Sequence, residues 1–190
     1  DSISFSLSGA DSNSFTISSS GALTFNNAPD YETKDSYSLV ITASDGTSAV
    51  SQTVSIAISN VNEVPQISAL SSTQTPDENQ ASVVTVSASD PDASTTLTYY
   101  VSGTDSSLFA ITSSGVLTFR SSPDYETPGD ADGDNNYQIN VLVSDGSLSV
   151  TQAITVQVQN VADLISGVAV DGYVAGATVF QDLNNDGDLD

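Results

Sequence analysis

The chain repeats itself, and the period of that repeat restricts its architecture more than any single motif does. Ser8-Gly9-Ala10-Asp11-Ser12 returns as Ser102-Gly103-Thr104-Asp105-Ser106, and Ser20-Gly21-Ala22-Leu23-Thr24-Phe25 as Ser114-Gly115-Val116-Leu117-Thr118-Phe119, both 94 residues later. Pro29-Asp30-Tyr31-Glu32-Thr33 matches Pro123-Asp124-Tyr125-Glu126-Thr127 at the same offset, whereas Tyr37 matches Tyr137 at 100, so the second copy carries a six-residue insertion. Beyond it the match resumes, with Ser44-Asp45-Gly46 on Ser144-Asp145-Gly146 and Asn60-Val61 on Asn160-Val161. A repeat of this length has the size of an immunoglobulin-like domain.

Within each copy the apolar residues alternate. The first shows Ile3, Phe5, Leu7, then Leu39, Ile41, Ala43 and Val54, Ile56, Ile58; the second shows Leu97, Tyr99, Val101, then Ile139, Val141, Val143 and Ile154, Val156, Val158. A period of two, interrupted by Gly, Pro, Asn and Asp, marks half-buried strands. The chain is therefore expected to be all-β, a tandem of immunoglobulin-like Greek-key β-sandwiches. The expected domains are a partial repeat over residues 1–64, a complete repeat over 65–162 and the beginning of a different β-module over 163–190. The leading strands of the second copy, residues 68–70 and 83–88, have no counterpart in the first. The expectation is a fragment whose first sandwich is completed by residues upstream.

Charge narrows the function. The 190 residues hold 24 Asp and Glu against 2 Lys and Arg, a formal net charge of −22, which repels phosphates and anionic lipid. Nucleic-acid binding and direct membrane association are thereby excluded as functions of this segment, and no apolar run reaches the length of a membrane span. There is no Cys, so neither disulfides nor thiolate metal sites exist. Such a carboxylate excess repels itself unless counter-ions gather, and hard divalent cations prefer oxygen ligands, so calcium is the expected cofactor.

Several acidic motifs recur at structural punctuation. Each copy has Asp-Tyr-Glu after a Pro, a Ser-Asp-Gly and a short polar connector, and the second copy adds Pro76-Asp77-Glu78-Asn79 and Ser89-Asp90-Pro91-Asp92. Over residues 1 to about 163 this set resembles the bacterial cadherin-like repeat. The resemblance implies calcium ligands at a first junction from Asp30, Glu32, Asn60, Asn62, Glu63, Asp90, Asp92 and Asp145. It implies a second set of Glu78, Asp124, Glu126, Asn160 and Asp163. It further implies a cell-surface or secreted bacterial adhesin in which calcium stiffens successive modules. Partners implied are the same protein on another cell or a surface polysaccharide.

Two further loops stand outside that pattern. The insertion places Asp130, Asp132 and Asp134 at every second residue, a spacing able to wrap one cation. Asp182, Asn184, Asp186 and Asp188 follow the first positions of an EF-hand-type loop with Gly187 at the sixth, and the bidentate Glu of position twelve would fall at 193. Paired carboxylates also serve glycoside hydrolases, but without His, Cys or Trp no catalytic constellation is expected, and the chain is read as a non-enzyme. The alternative is a carbohydrate-binding or spacer module of a secreted polysaccharide-degrading protein. Its one candidate stacking ring is Tyr100, which alternation turns outward while Tyr99 enters the core.

Overall fold

The alternating stretches fold as strands in which every second residue turns inward. The computed structural model describes residues 2–93 and 95–162 and divides into two units, Asp1–Glu63 with Pro91–Ser94, and Val64–Asp90 with Thr95–Asp190.

The first unit contains β1 (Ser4–Ser8), β2 (Phe15–Ile17), β3 (Leu23–Phe25), β4 (Ser36–Ser44) and β5 (Ala49–Ala57). β1, β4 and β5 form one antiparallel sheet, and β2 pairs with β3 in a separate hairpin. β4 and β5 pair along their full length from Ser36↔Ala57 to Ser44↔Ala49. The register is set by the turn between them, where Asp45 accepts the Thr47 and Ser48 N–H groups at 2.8 and 2.7 Å and Gly46 takes φ +89°, an arrangement typical of Asx turns. Phe15, Phe25 and Tyr37 meet with ring centroids 4.4 to 5.6 Å apart.

The second unit contains β6 (Gln66–Ser68), β7 (Thr73–Gln74), β8 (Ser82–Thr85), β9 (Ser87–Ser89), β10 (Thr98–Ser102), β11 (Phe109–Ile111), β12 (Val116–Phe119), β13 (Asn136–Ser144) and β14 (Ser149–Gln157). One sheet runs β10-β13-β14-β7 with β7 parallel to β14, another runs β11-β12-β8, and β6 pairs with β9. Between them lies a core of Val86, Phe109, Leu117, Phe119, Tyr137, Ile139, Val141, Ile154, Val156 and Val158, all buried. The aromatic trio of the first unit is reproduced by Phe109, Phe119 and Tyr137.

Two local departures from the alternation have physical causes. The stretch expected as one strand over 83–88 is interrupted at Val86, whose N–H makes the last bond to the β12 side, to the Gly115 carbonyl at 2.8 Å, before β9 pairs with β6 instead. The β8 register on β12 slips between Leu117 and Thr118, a bulge that lets adjacent Val83 and Val84 both pack against the core. The strand expected over 68–70 begins earlier, as β6. Residues 163–190, including the expected third module, lie outside the described residues. No helix among the described residues is long and apolar enough to cross a membrane.

Candidate metal centre

The duplicated Pro-Asp-Tyr-Glu motif builds the same turn twice. Asp30 accepts the Glu32 and Thr33 N–H groups at 3.0 and 3.2 Å and the Thr33 hydroxyl at 2.9 Å. Asp124 likewise accepts the Glu126 and Thr127 N–H groups at 3.0 and 3.1 Å. The Asp in each copy thus closes the turn, and the Glu two residues on is carried on a fixed backbone. At Asp30 the hydrogen bonds from the Thr33 hydroxyl and backbone hold the carboxyl below its ordinary range against the opposing effect of burial.

In the first unit, Glu32, Glu63 and Asp92 each offer an oxygen within 4.8 Å of the others. Asp92 is held in place from both sides, by the Asn60 amide at 2.7 Å and the Glu63 N–H at 2.9 Å. Asn62 donates to the Glu63 carbonyl at 3.1 Å. Pro91–Ser94, which carries Asp92, belongs to this unit.

In the second unit, Glu78, Asp124 and Glu126 converge in the same way. Glu78 is only 2 % exposed and accepts the Tyr125 N–H at 2.9 Å and the Val161 N–H at 2.7 Å. Its own N–H donates to the Gln159 carbonyl at 3.0 Å, beside the parallel bridge Asp77↔Gln159. The side chain of Asn160 donates to Glu126 at 2.7 Å. One buried carboxylate therefore ties the start of the repeat, the Asp-Tyr-Glu turn and the segment after β14 to one point.

A third group, Asp130, Asp132 and Asp134, lies in the insertion. The hydrogen bond with Asp130 and then the charge of Asp134 push the Asp132 carboxyl upward. Burial pushes Asp130 up, but the Asp134 N–H and the Asp132 side chain outweigh it, and the net direction is down. Nearby, burial raises the Tyr137 hydroxyl, the Gly129 N–H opposes it, and the charges of Asp130, Asp105 and Asp124 add to the rise.

The donor set of all three groups is hard oxygen, which suits calcium and excludes soft-metal chemistry. With two basic residues in the chain, Lys and Arg cannot neutralise three such clusters.

The remaining expected ligands are placed as follows. Asp145 accepts the Ser147 and Leu148 N–H groups of its own turn at 2.5 and 2.6 Å, as Asp45 does in the first copy. Asp90 follows β9 in the second unit. None of the three carboxylate groups includes Asp30, Asp90 or Asp145. Asp163, Asp182, Asn184, Asp186 and Asp188 lie outside the described residues. Tyr100 is 55 % exposed while Tyr99 packs against the core.

Sequence reasoning passed over Asp11 and Asp105. Asp11 accepts the Ser38 N–H at 2.7 Å and the Lys34 ammonium. Asp105, 4 % exposed, accepts the Gln138 and Ala131 N–H groups at 2.6 and 2.9 Å. The signal was their identity across the duplicated Ser-Gly-x-Asp-Ser block.

No protein-family model and no curated protein matches the chain. Among solved structures, mouse cadherin-23 EC22-24 superposes with a TM-score of 0.61 at 26% identity, over 84% of this chain and 53% of that one. The protocadherin gammaB7 EC3-6 cis-dimer gives 0.59 at 26% identity, over 83% and 40%. Drosophila N-cadherin EC1-4 gives 0.59 at 21%, over 83% and 41%, a likeness of fold. The chain spans about half or less of each of these proteins. Its fold is all-β, with immunoglobulin-like sandwiches of the kind found in cadherin extracellular domains.

Proposed function

We propose that the chain is a calcium-binding repeat region of an extracellular or cell-surface adhesin, in which calcium stiffens the passage from one repeat to the next. On this reading residues 1–64 are a partial repeat, 65–162 a complete one, and 163–190 the start of a further module. The likeness to cadherin extracellular structures supports an adhesion-type extracellular repeat. The bacterial origin and the adhesin context are inferred from the resemblance of the sequence motifs.

The observation that carries the calcium reading is the Glu78–Asp124–Glu126 group, where a carboxylate 2 % exposed sits within 4.8 Å of two others. Burying one charge beside two like charges is strongly unfavourable unless a cation compensates them. Glu78, Asp124 and Glu126 would hold that ion, with Asn160 alongside; Glu32, Glu63 and Asp92 would hold its equivalent, with Asn60 and Asn62 alongside. Asp30 closes the turn that carries Glu32, and the reading of Asp30, Asp90 and Asp145 as further ligands rests on the resemblance of the sequence motifs. The ion would supply charge compensation and oxygen coordination, and no bond-making chemistry. The chain is accordingly read as a non-enzyme, whose partner is a second copy of itself or another surface molecule.

Small-angle scattering of the whole chain tests this reading. Replacing EDTA by calcium is expected to increase the average radius of gyration, and the paired change Asp92→Ala and Glu126→Ala to cancel that increase. Identical profiles with and without calcium, with no calcium uptake by calorimetry, overturn it.

A further inference from the structure

The two copies solve one electrostatic problem differently. In the first, the Asp11 carboxylate is paired with the Lys34 ammonium, which also lies 4.8 Å from the centroid of the Tyr37 ring. In the second, Asp105 keeps the equivalent backbone bond, from Gln138 in place of Ser38, but no lysine occurs: Lys34-Asp35-Ser36 is replaced by residues 128–136, the insertion itself. The Ala131 N–H takes the place of the ammonium on Asp105. A hydrogen bond is thereby restored, and a positive charge is not.

The insertion is also an ordered structure. Asp130 accepts the Asp134 N–H at 2.9 Å, and Asp134 accepts the Asn136 N–H at 2.8 Å. Gly133 and Asn135 adopt φ +76° and +62°. The Asn135 carbonyl accepts the Val158 N–H at 3.0 Å, and its amide donates to the Tyr125 carbonyl at 2.8 Å. This fixed loop brings three carboxylates within 4.8 Å.

An observation separate from the clustering points to a ligand. Two acceptor oxygens of the loop are shut off from solvent and receive no hydrogen bond: Oδ1 of Asp130 and Oδ1 of Asn135, a residue only 7 % exposed. An orphaned buried carboxylate oxygen beside like charges is costly in a folded protein. Oxygen acceptors with no donor to meet them are what a hard cation requires.

We propose that residues 130–136 form a single-ion calcium site internal to the second repeat, whose ion supplies beside Asp105 the positive charge that Lys34 supplies to Asp11 in the first. The site is separate from the Glu78 and Glu32 groups and stands or falls independently of them.

The test uses the full chain, stripped of metal and titrated with calcium to about 10 mM, an excess over the dissociation constants of extracellular modules, with amide NMR and calorimetry as readouts. The amides of Ala131, Asp134 and Asn136 are expected to shift. The double change Asp132→Asn with Asp134→Asn should remove one ion from the stoichiometry while Tyr125 and Val161, which report on Glu78, still respond. A second variant replaces residues 128–136 by Lys-Asp-Ser and should fold, lose the same ion and retain the Tyr125 and Val161 response. Loop amides indifferent to calcium while Tyr125 and Val161 shift, or an unchanged ion count in the folded variants, overturn the proposal. Loop amides that shift while Tyr125 and Val161 stay still uphold it and remove the Glu78 site instead.

Discussion

Asp11 and Glu78 show what an acidic side chain does for a chain with almost no bases. The Lys34 hydrogen bond, then the Ser38 N–H, hold the Asp11 carboxyl below its ordinary 3.8, against the opposing effect of burial. A carboxyl whose pKa is lower folded than unfolded stabilises the fold above the unfolded value, and the contribution disappears as pH falls through the folded one. Asp11→Asn should therefore lower the urea midpoint at neutral pH, and the gap to the wild type should close as the solution is acidified below 3.8. A gap constant with pH would mean that the charge of Asp11 is irrelevant. Glu78 carries more, because its two oxygens accept two separate backbone N–H groups. Glu78→Ala orphans both donors, which outweighs the relief of its repulsion by Asp124 and Glu126, and is expected to cost about 2 to 4 kcal/mol, whereas Glu78→Gln orphans one donor while relieving the same repulsion and should lie within about 1 kcal/mol of the wild type. Denaturant unfolding in EDTA measures both without interference from metal. Glu78 was singled out as a candidate ligand because Pro76-Asp77-Glu78-Asn79 belongs to the motif set that carries the resemblance. Its service to Tyr125 and Val161 was not, since a backbone N–H looks the same at every position of a sequence. Lys34 was likewise passed over because its partner lies 23 residues away and only the folded turn joins them.

At the scale of elements, alternation and duplication were enough to read the long strands β4, β5, β13 and β14, because a period of two maps directly onto a buried face, but not the aromatic contacts of Phe15, Phe25 and Tyr37. They were not enough to place the break at Val86, where the chain passes from β12 to β6 and one last hydrogen bond to Gly115 holds it. That contact also separates the two copies. Phe25, Tyr37, Ile41, Val54, Ile56 and Ile58 are partly exposed, while their counterparts Phe119, Tyr137, Val141, Ile154, Val156 and Val158 are buried. The covering strand with Val86 has no counterpart among residues 2–63. Gly115 and Gly21 occupy the same turn position at φ +81° and +83°, yet a Cβ on Gly115 would meet the Val86 carbonyl oxygen at 2.2 Å. On Gly21 it would meet only the end of the Phe5 ring at 3.1 Å. Both changes incur the left-handed penalty of about 1 to 2 kcal/mol. Gly115→Ala must also displace a backbone, so it should cost at least about 3 kcal/mol and lower the melting temperature of the second unit. Gly21→Ala should stay near the conformational penalty alone. Equal losses in the two variants would show that Val86 does not clamp the turn.

For the whole molecule, the deciding quantity is charge. A net −22 stores self-repulsion that unfolding relieves, so stability should respond to ions in two distinguishable ways. Sodium chloride screens charges beyond about a Debye length and should raise stability gradually, without saturation at low concentration. Calcium should act at far lower concentration and saturate, because binding to the folded state alone adds RT ln(1 + [Ca]/Kd), about 1.4 kcal/mol per site at ten times the dissociation constant. For a domain of ordinary size each such site corresponds to a rise of roughly 5 to 10 °C in melting temperature. Magnesium separates specific binding from general screening: it demands near-octahedral geometry and sheds water reluctantly, so at equal ionic strength it should reproduce only the gradual effect. Calorimetric scans of the chain in EDTA, magnesium and calcium should then show the second unit, which holds two of the three carboxylate groups, gaining more from calcium than the first. If magnesium and calcium traces coincide, the carboxylates act as a diffuse acidic surface, and the ordered turns around Glu78 and Asp130 are explained by their hydrogen bonds alone.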